Sequence, residues 1–201
     1  MIARLSAALL RRASPAELAY HPANPMISTP DKTSNPVAIR VATAADVPAI
    51  LHFIRALARH EKLESEVVVD EPALLATLFG ERPAAEVLIA EIAGAPVGFA
   101  LFFTSYSTFV GKPGLYLEDL FVQPEARGRG AGMALMSVLA RIALERNYGR
   151  FEWPVRNWNT TALDFYRSLG ALPLSERTVH RLVGEPLAEL AKRWSGAVTR
   201  R

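Results

Sequence analysis

At 201 residues, half of them hydrophobic, the chain is long enough for one domain with a substantial core and short for two. It has no cysteine, which excludes disulfides, a thiolate nucleophile, an acyl-cysteine intermediate and any cysteine-ligated metal. Its histidines (His21, His52, His60, His180) show no metal-ligand spacing, so no metal site is expected. The formal charge of +3 is modest, with no aromatic and basic run suited to nucleic acid and no apolar run able to span a bilayer, so neither is an expected partner.

Residues 1–36 differ in kind from the rest, with Pro15, Pro22, Pro25, Pro30 and Pro36 and only Glu17 and Asp31 as acids. They read as an extension outside the fold. Its opening, MIARLSAALLRRAS, resembles an organelle transit peptide, and a disordered leader is the alternative. A cytoplasmic location is expected, with organelle targeting by this extension as the other possibility. Val37 to Val41 reads as a strand. Thr43-Ala44-Ala45-Asp46 then starts a helix running towards His60, with Val47, Ile50, Leu51, Ile54 and Leu57 on one stripe. Asp70-Glu71-Pro72 starts a second helix through Leu78. Val87 to Ile92 and Val97 to Tyr106 form a hairpin about Ala93-Gly94-Ala95-Pro96.

A strand carrying Leu115, Leu117, Leu120 and Val122 comes next and ends at Pro124. The helix from Gly130 to Arg146 places Met133, Leu135, Met136, Leu139 and Ala140 on its apolar side. Arg150 to Val155 reads as a strand, Asn159 to Ser168 as a helix ended by Gly170, and Thr178 to Val183 as a last strand. The order is mixed α/β without repeats. The turn between the Leu115 strand and its helix, Arg127-Gly128-Arg129-Gly130-Ala131-Gly132, is an anion site in prospect. Glycine permits close backbone approach, the first helical turn offers unpaired N–H donors, and Arg127 and Arg129 add mobile positive charge. It fits neither a P-loop nor G-x-G-x-x-G. The pattern Gln/Arg-x-x-Gly-x-Gly/Ala after a strand resembles the acetyl-CoA pyrophosphate loop of the GCN5-related N-acetyltransferases (GNAT).

Amide formation from a thioester needs a neutral amine, a polarised carbonyl and a protonated leaving thiolate. A lysine-like amine is neutral in only about one molecule in a thousand at pH 7.4, so a base or a pKa-depressing environment is required. Glu118, an acid among apolar strand neighbours, is the candidate; read alone it is also compatible with an arginine partner or a solvated edge. Asp119 faces the other way if the strand is regular. Tyr166 is a candidate proton donor to the thiolate, or a core aromatic with its hydroxyl at the rim.

Four segments resemble the diamine acetyltransferases, the spermidine/spermine and thialysine enzymes: His60-Glu61-Lys62-Leu63-Glu64, Tyr116 to Val122, Arg127 to Gly132, and Trp158-Asn159 through Tyr166. The resemblance covers residues 37–185 and implies a GNAT fold, a mixed, mostly antiparallel central sheet flanked by helices, with residues 186–201 as a C-terminal helix and tail. It implies acetyl-CoA as donor and an amine of a small cationic substrate (thialysine, diamine or polyamine) as acceptor, by direct ternary-complex attack. A protein or peptide amine acetyltransferase and a non-catalytic acyl-CoA sensor are the alternatives.

By the same resemblance, Tyr166 is the general acid and Glu118 the substrate-site acid and water-mediated base. Leu120, Phe121 and Val122 contact the acetyl and pantetheine groups, Arg127, Gly128, Arg129, Gly130, Ala131 and Gly132 the pyrophosphate, and Asn159, Thr160, Thr161 and Ala162 the rest of the cofactor. His60, Glu61, Glu152, Trp153 and Pro154 lie on the amine side, and a homodimer is expected. His60 stands where the spermidine enzymes carry Tyr, closer to the thialysine branch, and the sequence diverges from the pattern after Gly170.

Overall fold

The computed structural model of the protein describes residues 37–196, so the expectations for the N-terminal extension and the last residues lie outside the described chain. The described residues form two compact units, one ending at Glu152 and the other beginning at Trp153. In the first, β1 (Val37–Val41) leads through a 3-10 turn (Ala44–Asp46) into α1 (Val47–Glu61). A second short turn (Glu64–Glu66) precedes α2 (Glu71–Phe79). Then come β2 (Glu86–Ile92), β3 (Ala95–Ser107), β4 (Lys112–Val122), the turn Pro124–Ala126, α3 (Ala131–Glu145) and β5 (Phe151–Glu152). The five strands lie in chain order, antiparallel except for the parallel pair β4 and β5, which bears out the mixed sheet with flanking helices.

The entry to α1 is fixed by charge. Thr43 N–H donates to Asp46 Oδ2 at 2.7 Å, and Arg40 donates from Nη1 and Nη2 to the two carboxylate oxygens at 2.7 Å each. Arg40 Nε reaches Glu91 Oε1 at 2.8 Å, tying the β1 end to β2. The Arg40 hydrogen bond is the main reason that the Asp46 carboxyl falls to about 2. A carboxylate with a depressed folded pKa stabilises the fold above its unfolded value, near 3.8, and loses that contribution as pH falls towards 2. Asp46→Asn is therefore expected to lower unfolding free energy by about 2 kcal/mol at pH 7. Denaturant titrations should show the deficit shrinking between pH 4 and pH 2.5; an unchanged deficit would contradict this origin.

The hairpin of β2 and β3 is tighter than expected. Ala93 (φ +54°) and Gly94 (φ +77°) form a two-residue turn between Ile92 and its partner Ala95, the positive φ pair that matches the twist of a hairpin. Opposed residues share a face of the sheet. Val87, Ile89, Phe99 and Phe121 lie beneath α1 and α2, with Val47, Ile50, Phe53, Leu74 and Leu78 completing that core. Phe53 stacks on Phe99 with centroids 5.7 Å apart and lies 6.2 Å from Phe121. Leu135, Met136, Leu139 and Ala143 are the buried side chains of the middle of α3, whereas Met133 and Ala140, expected on its apolar side, are exposed.

Two expected strands are corrected. The one expected over Arg150 to Val155 is only Phe151–Glu152, because its two pairings are with Leu115 and Tyr116 and Pro154 has no N–H to extend a ladder. Thr178 to Val183 forms no strand. Its side chains are exposed, and a short stretch with β-branched residues does not satisfy a strand's backbone without a partner edge. The second unit instead has α4 (Thr160–Ser168) and α5 (Gly184–Lys192). No helix among the described residues is long and apolar enough to cross a membrane.

Candidate active site

The chemistry of the first unit centres on an irregularity in β4. Leu117 opposes Phe102 and Asp119 opposes Leu101, so Glu118 is an extra residue. This β-bulge re-aims the remainder of the strand. Before it Leu115 and Leu117, and after it Leu120 and Val122, oppose Thr104, Phe102, Ala100 and Gly98 on one face. Asp119 and Phe121 pass to the other face with Leu101 and Phe99, beneath α1. The strand is not regular, so the premise on which Asp119 would turn away from Glu118 fails: Asp119 opposes Leu101, and Glu118 is inserted unpaired between it and Leu117. Glu118 is exposed and Asp119 half-buried.

Burial, then the charges of Glu118 and Glu61, raise the Asp119 carboxyl to about 6. Glu61 is the last residue of α1, which ends in the left-handed Lys62 (φ +60°). Tyr116, two residues before the bulge, has its phenol pushed up by burial and by Glu118 and Glu152. Its ring lies 5.1 Å from that of Phe103, its β3 partner. Glu61, Asp119, Glu118 and Glu152 thus belong to one acidic, aromatic-floored lane. His60 is exposed at the α1 end. Among the described residues no group of three or more His, Asp or Glu side chains is placed to hold a metal ion.

On its other side β4 pairs with β5 only at Leu115 and Tyr116, so no strand among the described residues covers that edge from Leu117 to Val122. Apart from the Val122 carbonyl, alternate N–H and C=O groups there have no strand partner and can be taken up by a ligand. Leu120, Phe121 and Val122 lie on this stretch. The turn after it has Gly128 at φ +74° and Gly130 at φ +87°, left-handed conformations that a side chain would strain. Gly130 is the N-cap of α3 and supplies no side-chain acceptor, so the first-turn N–H groups of Ala131 and Gly132 remain available to an anion. Arg127 is not the mobile charge expected from sequence. Its Nε donates to the Val122 carbonyl at 3.1 Å and its guanidinium lies 5.9 Å from the Phe121 ring centre. Arg129 remains exposed in the turn.

In the second unit Tyr166 is half-buried in α4, its ring 5.1 Å from Trp153 and 5.4 Å from Phe165. Burial pushes its phenol up to about 12, so it keeps its proton at neutral pH. Asn159 caps α4 by accepting from Ala162 N–H at 3.1 Å, while Thr160 and Thr161 are exposed in the first turn and Pro154 is exposed. Sequence reasoning sets Asp119 aside and does not single out Tyr116. The signal for the bulge is nonetheless there: apolar positions run 115, 117, then 120, 122, and a three-residue step inside a period-2 strand marks an inserted residue.

The family described as "Acetyltransferase (GNAT) family" matches residues 51–171. A thialysine N-epsilon-acetyltransferase of Bos taurus is 41% identical over 166 residues, spanning 77% of this chain and 97% of its own. An L-ornithine N5-acetyltransferase of Arabidopsis thaliana is 31% identical over 199 residues, spanning 77% and 87%. Among solved structures, an integron cassette protein from the mobile metagenome of V. cholerae has a TM-score of 0.66 at 29% identity, covering 78% of this chain and 98% of its own.

Proposed function

From the premise that this chain belongs to the acetyltransferase (GNAT) family, we propose that it transfers acetyl from acetyl-CoA to a primary amine of a small cationic substrate, by direct attack within a ternary complex. It is an acetyl-CoA-dependent N-acetyltransferase; the two relatives described above are named for amino groups of diamino acids, and a further one for spermidine and spermine. The observation that carries the finer reading is the bulge, which gathers carboxylates beside an open strand edge.

Residues Arg127 to Gly132 fit a pyrophosphate, since the turn is glycine-shaped and α3 has no side-chain cap. Acetyl-CoA supplies the activated acetyl group. Backbone amides near Leu120 and Phe121 polarise the thioester carbonyl. Glu118 meets the substrate ammonium and, through water, relays its proton to Asp119, whose pKa of about 6 is closer to operating pH than that of an ordinary carboxylate. Tyr166 donates the proton that the departing sulfur needs; its role rests on the family resemblance and on its protonated state. A homodimer and a cytoplasmic location belong to the same proposal.

The test is CoA thiol release by the purified protein with acetyl-CoA and, separately, thialysine, L-lysine, L-ornithine, putrescine, spermidine and a lysine peptide. Selective turnover of a small amine supports the reading. Turnover of the peptide alone, or of nothing despite acetyl-CoA binding, would overturn it.

A further inference from the structure

The acidic lane ends on a cation that the mechanism does not use. Arg150 immediately precedes β5, and Glu152 within it opposes Tyr116 in the parallel ladder, so Glu152 projects on the face that carries Tyr116, Phe103 and Asp119, where Arg150 also lies against Gly114 and Ser105. A Cβ on Gly114 would lie 2.8 Å from Arg150 Cγ, 2.9 Å from Ser105 Oγ and 3.3 Å from Arg150 Nε. The missing side chain at Gly114 is therefore the space across which the arginine lies. Arg150 Nε is 2.7 Å from Glu152 Oε2, an ion pair, yet neither this buried N–H nor the buried Ser105 hydroxyl beneath it has an aligned hydrogen-bond acceptor or donor. The Arg150 side chain keeps 29% of its surface exposed.

Along the sheet the order is Glu61, Asp119, Glu118, Tyr116, Glu152, Arg150. Tyr116 feels the charges of both Glu118 and Glu152, so the carboxylate that meets the reacting amine and the ion pair at the far end flank one aromatic side chain. From Tyr116 to the bulge is two residues, about 7 Å of strand. A lysine-length diamino acid spans such a gap. A diamine or polyamine finds only carboxylates useful here, whereas a substrate α-carboxylate needs a planar cationic donor, which an arginine fork provides.

We propose that Arg150 reads the α-carboxylate of the substrate and so selects a diamino acid over the diamine of the same chain length. This rests on the reading of the protein as a small-amine acetyltransferase. In the bound state Glu152 faces the substrate's α-ammonium and Arg150 its carboxylate, so the ion pair of the free protein opens onto a zwitterion of complementary charge. Gly114 is part of the device, because any side chain there evicts the arginine.

The experiment compares matched pairs that differ only by the carboxylate, L-lysine against cadaverine and L-ornithine against putrescine, as kcat/KM at fixed saturating acetyl-CoA. The native protein is expected to prefer each amino acid at least tenfold. Arg150→Gln should reduce that ratio at least tenfold, Arg150→Lys should reduce it less, and Gly114→Ala, which leaves the arginine in the chain but displaces it, should reduce it as Arg150→Gln does. A ratio is insensitive to loss of folded protein. Native protein that acetylates none of the four amines, nor thialysine or spermidine, would overturn the functional reading itself. A native preference for the diamines, or a preference for the amino acids that survives in both Arg150→Gln and Gly114→Ala, would overturn only the assignment of Arg150.

Discussion

Tyr166→Phe is expected to lower kcat about 100-fold while leaving the acetyl-CoA dissociation constant within about twofold. The substitution removes one oxygen and keeps the ring that packs 5.1 Å from Trp153 and 5.4 Å from Phe165, so folding is little disturbed. What it removes is the proton. A phenol held at about 12 by burial is fully protonated in the working range, and it gives up that proton only as negative charge develops on the departing sulfur. The loss therefore falls on the chemical step, not on binding. Steady-state rates with acetyl-CoA affinity measured by calorimetry separate the two. An unchanged kcat would remove Tyr166 from the mechanism.

Asp119→Asn should make the protein more stable and less active. Its carboxyl is raised to about 6, first by burial and then by Glu118 and Glu61, so the ionised form is the costly one in the folded state. Linkage sets the sign. Below the unfolded value near 3.8 the side chain is neutral in both states and costs nothing; the cost builds as pH rises from 3.8 to 6 and is complete above 6, where the folded protein holds an unfavourable charge. Replacing it by a neutral amide relieves about 3 kcal/mol at pH 7.5 and less than about 1 kcal/mol at pH 4. Denaturant midpoints at the two pH values measure this. The same variant should lose about 100-fold in kcat/KM and the acidic limb of its pH profile near pH 6. A variant less stable than the native protein at pH 7.5 would show that Asp119 is held by a favourable partner and is not poised for proton transfer. Stability given up at a site for the sake of its chemistry is a common trade.

Much of the first unit is legible in its sequence because the determinants are local. Thr43 and Asp46 announce the start of α1 through a capping pattern, and the glycines of the 127–132 turn sit where positive φ is needed. The long-range terms are not legible. That Arg40 bridges Asp46 and Glu91 depends on β1 pairing with β2, and that Arg127 bends back to the Val122 carbonyl depends on the turn's path. Phe53, three residues after Ile50 and four before Leu57, sits at the margin of the α1 stripe, yet it is central because Phe99 and Phe121 meet it from two strands. Thr178 to Val183 carries strand-favouring valines and a threonine, but pairing is a property of an edge, and no edge among the described residues takes it. Glu118 stands out in the sequence as an acid out of place. Its neighbour Asp119 does not, because a regular strand would turn it away, although the shift of apolar positions across the pair already encodes the bulge.

The most direct test of the central claim is the identity of the product. Purified protein is incubated with acetyl-CoA carrying an isotopic label in the acetyl group and with thialysine or L-ornithine, and the amine is analysed by mass spectrometry beside the CoA released. The expected result is one labelled acetyl on the side-chain nitrogen per CoA released, with no labelled protein intermediate. CoA release without acetylated amine, or label appearing first on the protein, would contradict direct transfer to a small amine.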